Sequence, residues 1–400
     1  MKNLLQKDGF KSVLSSLLSI LIGMAAGSIV ILIVGLCTPS LGISSAWDGI
    51  KLVFMGLFST GRDAAGALTF GFNSANIGNM LFRATPLIMT GLSVAVAFKT
   101  GLFNIGAPGQ YLMGSAAALF VGLSMSTGSG ELFAYQESLG LAPAVTFPAW
   151  FVWCCAMICG IVAGGLWGAI PGALKATLGI NEVLASIMTN WIAANVVTWL
   201  FEGSSLKNMI EGTKSGYIYK TSFNNVATSK MGLDKLFSGS QVNGGIIIAI
   251  IVAVAIYIMM TKTTFGYELK ACGSNRYAAR YAGIRDKRNI VLSMAIAGAI
   301  AGMGGALYYL AGNTELYWST YQSLPAVGFN GIPVALLAVN NPIAVIFTGM
   351  FMSMLNISGL QLTNLTAYNE YITDVIIAVI VYLSAFALVI KLWLGKKLKH

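Results

Sequence analysis

The chain has 400 residues, 56% of them hydrophobic and only 10% charged, with a mean hydropathy of +0.76. Soluble domains carry about a quarter charged residues, so this composition excludes a soluble domain and indicates an integral membrane protein. The formal net charge of +10 is concentrated in particular loops and tails, which is the pattern of membrane topology and not that of a nucleic-acid-binding surface.

A bilayer-spanning helix needs about 20 mostly apolar residues. The first candidate, 16–36, follows a basic start with Lys2, Lys7 and Lys11. It exceeds a signal-peptide core and lacks a small-x-small cleavage site. The sequence "IVGLC" resembles a lipoprotein box, but Leu36 stands where a small residue must precede Cys37. This segment reads as a first transmembrane helix. The second candidate, 77–98, carries polar, Gly and Pro residues and is expected to be broken or re-entrant.

The third span, 105–126, opens on "FNIGAPGQ", which sets Asn104, Gly106, Pro108, Gly109 and Gln110 at or inside its start. Glycine and proline free backbone groups there, and a bilayer tolerates those only where protein or a water-filled cavity receives them. Interrupted helices are how transporters present polar groups to a substrate; close packing by small residues is the plainer reading. Asn104 and Gln110 tilt the balance towards a pathway. Segment 128–146 has no Lys or Arg and is expected outside. Span 147–173 follows, with Cys154, Cys155 and Cys159 as small buried hydrophobes. The only histidine is His400, so no metal-ligand set accompanies them.

Span 183–201 lies in "GINEVLASIMTNWIAAN". Glu182 reads equally well as a functional intramembrane carboxylate or as a solvated helix N-terminal residue near Lys175. Asn190 with Trp191 offers amide hydrogen bonds and an aromatic face, although an interhelical hydrogen bond explains Asn190 as simply. The longest loop, 203–243, carries five lysines yet falls outside in the count, a mild conflict with the charge rule. Span 244–261 leads into loop 262–289, whose Lys262, Lys270, Arg276, Arg280, Arg285, Lys287 and Arg288 place it inside. Within it, "ACGSNRYAARYAGI" reads as a short helix, with Ser274 or Asn275 as N-cap and Gly283 as stop. Such a surface helix docks another protein or, alternatively, lies as a basic loop on anionic lipid.

Spans 290–311, 324–340, 342–361 and 371–394 complete ten, and 324–340 is a second candidate for a broken or re-entrant segment. Lys391, Lys396, Lys397 and Lys399 put the end inside, so both termini are expected in the cytoplasm, which an even number of crossings satisfies. No phosphate-binding loop, zinc-protease motif or nucleophile elbow is present. Transport by this chain therefore takes its energy from a partner or from an ion gradient.

The stretches "PLIMTGLSVAVAFKTGLFNIGAPGQ", "GINEVLASIMTNWIA", "ACGSNRYAARYAGI", "AGAIAGMGGALY" and "GFNGIPVALLAVNNP" run in order from residue 86 to 342. In them the chain resembles bacterial ABC-importer permeases of the branched-chain amino acid and ribose type, nearest to the nucleoside (simple-sugar) branch. It departs from that family at Pro108 and Asn330, where an acidic residue is usual. The resemblance implies an all-α polytopic fold over 1–400, a single permease domain of about ten transmembrane helices with a short cytoplasmic coupling helix. It implies a coupling surface formed by Gly273, Asn275, Tyr277, Ala278, Ala279, Arg280, Tyr281, Ala282 and Gly283. It further implies a nucleoside path near Phe103, Asn104, Gln110, Glu182, Asn190, Trp191 and Asn330. The implied setting is the bacterial cell membrane. The partners are a separate, commonly tandem ATP-binding protein, a second and commonly different permease, and an extracytoplasmic substrate-binding lipoprotein. The chain itself then needs no cofactor or metal and is no enzyme, ATP-Mg belonging to the ATPase. Alternatives are a pentose or other small polar solute, or an ion-coupled secondary transporter drawing on Glu182, Glu315, Glu370 and Asp374.

Overall fold

A computed structural model describes residues 8–38, 42–320, 322–384, 386 and 389. Lys2, Lys7, the lysines after residue 390 and the end of span 371–394 lie outside the described residues. In chain order the helices are α1 (Asp8–Cys37), α2 (Gly42–Met55), α3 (Ser74–Lys99), α4 (Ala107–Ser124), α5 (Glu131–Ser138), α6 (Ala149–Leu178), α7 (Glu182–Glu202) and α8 (Leu233–Leu236). Then come α9 (Gly245–Lys262), α10 (Thr264–Ser274), α11 (Arg276–Tyr281), α12 (Asp286–Tyr309), α13 (Ala326–Leu337), α14 (Pro342–Leu365) and α15 (Glu370–Ser384). Among the described residues four short strands form two antiparallel pairs: β1 (Ser59–Arg62) with β2 (Leu68–Phe70), and β3 (Tyr217–Ile218) with β4 (Leu316–Tyr317).

Every one of the ten expected spans falls on a helix, and among the described residues seven helices are long and apolar enough to cross a membrane. Two segments differ from expectation in detail. The 77–98 stretch is not broken: α3 runs unbroken for 26 residues with Pro86 inside it. Its apolar window is 83% buried, so protein and not lipid surrounds the proline, the condition under which a membrane helix tolerates one. The 324–340 stretch is shortened to the 12 residues of α13. Val339 and Asn340 then take positive φ (49° and 55°) to turn the chain. The Asn341 side chain accepts from the Ile343 amide at 3.0 Å and caps α14.

The chain forms two compact units, one of residues up to 84 with 232–242 and those from 333, the other of 85–231 with 243–332. In the first, α1, α2, α14 and α15 associate; the buried Tyr368 hydroxyl donates to the Ile31 carbonyl at 2.8 Å. In the second, α4, α6 and α12 meet along glycines. A Cβ on Gly164 would stand 2.5 Å from the Gly298 carbonyl oxygen, and one on Gly114 2.3 Å from the Gly302 Cα. Membrane helices associate through such close backbone approach because lipid supplies no hydrophobic drive between them.

The lysines of the 203–243 loop are largely engaged. Lys214 and Lys220 reach Glu315 at 2.8 and 3.2 Å, and Lys207 lies 3.5 Å over the Trp318 ring. This clip fastens the β3–β4 pair. Burial alone would raise the Glu315 carboxyl, but hydrogen bonds from Lys214 and Lys220 outweigh it and hold the group below its ordinary range. The hydrogen bond to Glu315, then that to Glu211, lifts Lys214 above its ordinary value. A depressed carboxylate stabilises above its unfolded pKa and stops doing so as pH falls through the folded value; a raised lysine stabilises below its unfolded pKa. Amide-exchange protection at Tyr219 and Trp318, corrected for intrinsic rates, is therefore expected to hold from neutrality down to about pH 4 and to fall below it. Glu315→Gln should show the unprotected rates already at neutral pH; an unchanged Glu315→Gln would remove the clip from the account.

Candidate functional site

Helix α3 ends at Lys99, and Gly101 turns the chain at φ +72°. Helix α4 starts at Ala107 with Pro108 in its first turn, where its missing N–H leaves no bond unmade. The residues between form the break seen in the sequence. Asn104 and Gln110, both fully buried, exchange two carboxamide bonds: Asn104 Nδ2 donates to Gln110 Oε1 at 2.8 Å, and Gln110 Nε2 donates to Asn104 Oδ1 at 2.9 Å. Asn104 Nδ2 also donates to Ser93 Oγ at 3.1 Å, and its Oδ1 accepts from the Gly106 amide at 3.1 Å. Asn190 reaches across from α7. Its Nδ2 donates to the Ile105 carbonyl at 3.0 Å and its Oδ1 accepts from the Gly109 amide at 2.9 Å.

Three carboxamides thus satisfy the backbone of the break and one another. In this conformation they bond protein groups, and removing one would leave buried partners unpaired, at a cost of about 1–3 kcal/mol. A Cβ on Gly109 would lie 2.8 Å from the Asn190 Cα, which explains glycine at that position.

The other expected path residues are placed differently. Phe103 is half-buried and its ring meets Phe98 at 4.9 Å. Trp191, beside Asn190 in sequence, is 56% exposed. Glu182 Oε2 lies 2.6 Å from Lys175 Nζ at the first turn of α7, one turn before Ser186, which lies against Gly106. Asn330 is half-buried on α13. Two residues earlier, Gly328 seats against Pro108, where a Cβ would come within 2.4 Å of the proline Cα. The two departures from the family pattern therefore fall beside one helix contact.

The segment expected to couple, 273–283, spans two helices and not one. Helix α10 carries Gly273 in its last turn, and Asn275 caps α11 by accepting from the Ala278 amide at 3.0 Å. Gly283, at φ +81°, follows its end. Tyr277, Ala278, Arg280, Tyr281 and Ala282 are exposed, Tyr281 almost completely at 96%, whereas Ala279 is buried against its own chain. Ala278, Ala279 and Ala282 with Tyr267 and Lys270 border a groove of about 600 Å³. Arg276 Nε holds Asp286 Oδ2 at 2.6 Å and ties α11 to the start of α12.

Two residues absent from the sequence reading join these regions. Gly273 lies directly on Thr100 and Gly101; a Cβ there would stand 2.6 Å from the Thr100 carbonyl carbon. The Thr100 hydroxyl also hydrogen-bonds Ser293 of α12. A continuous line of contact therefore runs from α10 through Thr100 and Gly101, three residues from Asn104 and its partner Gln110. Nothing in the local sequence marks that approach except a glycine on each side.

Residues 76–385 match the permease component of the branched-chain amino acid transport system. The chain is 34% identical over 96% of its length to the nucleoside ABC transporter permease protein NupB of Lactococcus lactis subsp. cremoris (strain MG1363), covering 94% of that protein. It is 32% identical to the guanosine ABC transporter permease protein NupP of Bacillus subtilis (strain 168), over 95% of both chains. It is also 30% identical to the glucose ABC transporter permease protein TsgB13 of Haloferax volcanii, over 80% of each. Such a subunit is a transport component and not an enzyme, and it works in an assembly with an ATPase and further permease subunits. With its apolar helices and this match over most of its length, the chain belongs to the branched-chain amino acid transport system permease family and is a multi-pass membrane permease of the ABC type.

Proposed function

We propose that this permease forms part of the path by which an ATP-driven importer carries a nucleoside across the bacterial cell membrane. The observation that carries the reading is the pair of relatives above 30% identity over nearly the whole chain, both with nucleoside names. Neutral carboxamides at the α4 break suit it, since ribose hydroxyls and base edges want both donors and acceptors.

In this reading the basic loop 262–289 and both termini face the cytoplasm. Tyr277, Arg280 and Tyr281 dock a separate, tandem ATP-binding protein, where ATP-Mg binds; the permease holds no cofactor of its own. An extracytoplasmic binding lipoprotein delivers the solute, and a second, different permease completes the path. Movement of α10 presses Gly273 on Thr100 and Gly101 and thereby shifts the break, so that Asn104, Gln110 and Asn190 exchange protein partners for solute. Phe103 supplies an aromatic face, and Glu182 and Asn330 border the path. Alternating access then moves rigid helix bundles about the site.

The test is uptake by proteoliposomes holding the complete importer with its ATPase and binding protein. Labelled nucleosides should accumulate only with ATP inside the cytoplasmic-facing compartment. The glucose-named relative favours a second reading, a sugar path; uptake of pentose or glucose without nucleoside would establish that one instead. Nucleoside uptake that persists without ATP and follows an ion gradient would point to secondary transport.

A further inference from the structure

Ser186 is fully buried on α7, and among the described residues its hydroxyl has no hydrogen-bond partner. Hydroxyls inside membrane helices ordinarily bond a carbonyl one turn back. Thr177 does so with the Ala173 carbonyl at 2.7 Å and Thr189 with the Ser186 carbonyl at 3.0 Å. A hydroxyl buried without a partner destabilises the conformation that holds it so. Alanine would fill the position without that cost, as Ala185, Ala193 and Ala194 do on the same helix. An unpaired buried group of this kind marks stored strain or function.

Its surroundings say what it could bond. A Cβ at Gly106 would meet Gln110 Nε2 at 2.8 Å, Asn104 Oδ1 at 3.1 Å and the Ser186 Cβ at 3.3 Å. The three side chains therefore crowd one backbone atom at the start of α4. Asn104 is saturated there, since its amide group donates to Ser93 and Gln110 and its oxygen accepts from Gly106 and Gln110. Gln110 is not: among the described residues its carboxamide bonds Asn104 alone, which leaves one N–H and one lone pair unused. The Gln110 atom beside Gly106 and Ser186 is Nε2, a donor, and the Ser186 oxygen is an idle acceptor.

We infer that Ser186 is a positioning residue of the path. As the break moves, Gln110 leaves Asn104 and donates from Nε2 to Ser186 Oγ, which frees Gln110 Oε1 to accept from the solute. The hydroxyl thus penalises the conformation described here and rewards the moved one. The inference rests on the reading above that the break moves in transport, and adds the group that holds Gln110 once it has moved.

The experiment is amide exchange at residues 105–110 of the complete importer. It is read beside uptake of labelled guanosine, or of labelled glucose if wild type carries that instead, so the class of solute does not enter the result. In wild type, exchange should quicken when ATP is supplied, because the Gly106 and Gly109 amides leave Asn104 and Asn190 as the break moves. Ser186→Ala removes both the unpaired hydroxyl and the alternate partner. Exchange should slow by about fivefold or more, and uptake should fall by a similar factor in a complex that still co-purifies with its ATPase. Ser186→Cys keeps the shape with a much weaker donor and acceptor; it should do the same, and serves if the alanine variant fails to assemble. In a Gln110→Leu background, Ser186→Ala should alter exchange by less than about twofold, because the pair is already gone. A serine that only fills space predicts the opposite sign, since deleting its oxygen loosens the packing. Unchanged or faster exchange in the assembled variants overturns the inference. So does a slowing that persists in full in the Gln110→Leu background, or slowed exchange with normal uptake. A wild-type break that exchanges alike with and without ATP overturns the moving-break reading itself.

Discussion

Gly302→Val is expected to remove most folded permease from the membrane. A Cβ at that position would stand 2.6 Å from the Gly160 carbonyl oxygen and 2.8 Å from the Gly164 Cα. Both are backbone atoms of α6 and cannot swing aside as a side-chain tip could. Gly114 of α4 closes on the same residue from another direction, so separating one pair of helices disturbs the third. Overpacking a tight core costs about 1–3 kcal/mol, and a three-helix contact through backbone leaves little room to relax. Gly165→Ala supplies the contrast, since its Cβ would meet its nearest neighbours at an ordinary 3.4 Å. Size-exclusion profiles and thermal melting in mild detergent should show Gly302→Val aggregated or scarce and Gly165→Ala normal. Equal yields and melting temperatures for the two would refute the three-helix junction.

Gly273→Val should separate ATP hydrolysis from transport. The new Cβ would be driven to within 2.6 Å of the Thr100 carbonyl carbon and 2.7 Å of the Gly101 amide nitrogen. Helices α10 and α11 would have to lift from the turn that leads into the break. The glycine-lined contacts of α4, α6 and α12 are not involved, so the permease should still fold and still bind its ATPase. Uptake should drop by about tenfold or more, in the range of coupling energies between linked sites, while hydrolysis continues. Tyr281→Asp approaches the same step from outside. Its ring is almost wholly exposed, so a charge there should spare folding and weaken docking. Ala279 is a poorer choice, because it is buried within the segment and its substitution would disturb local packing first. If Gly273→Val transports at the normal rate, the Gly273–Gly101 contact does not transmit the motion.

Several features of the fold are legible in the residues because they depend on local chemistry. Backbone groups in a bilayer must find partners within their own segment, so runs of apolar residues became helices at all ten expected places. Asn275 and Gly283 bracket α11 because a cap and a left-handed stop need only their immediate neighbours. The continuity of α3 through Pro86 was not legible in this way. It depends on the protein that encloses the helix, and a proline in lipid would have read identically.

Composition, hydropathy and local capping residues were enough to determine a polytopic membrane protein, its helices and a short exposed helix at 276–281. The family followed from motifs in their order. Which way each polar side chain turns was decided only by tertiary structure. Asn104 and Gln110 pair with each other, Asn190 bonds backbone groups 85 and 81 residues away in sequence, and its neighbour Trp191 is exposed. For Asn190 the physical reason is plain: a buried hydrogen bond requires two partners, and the second is supplied by a segment remote in sequence.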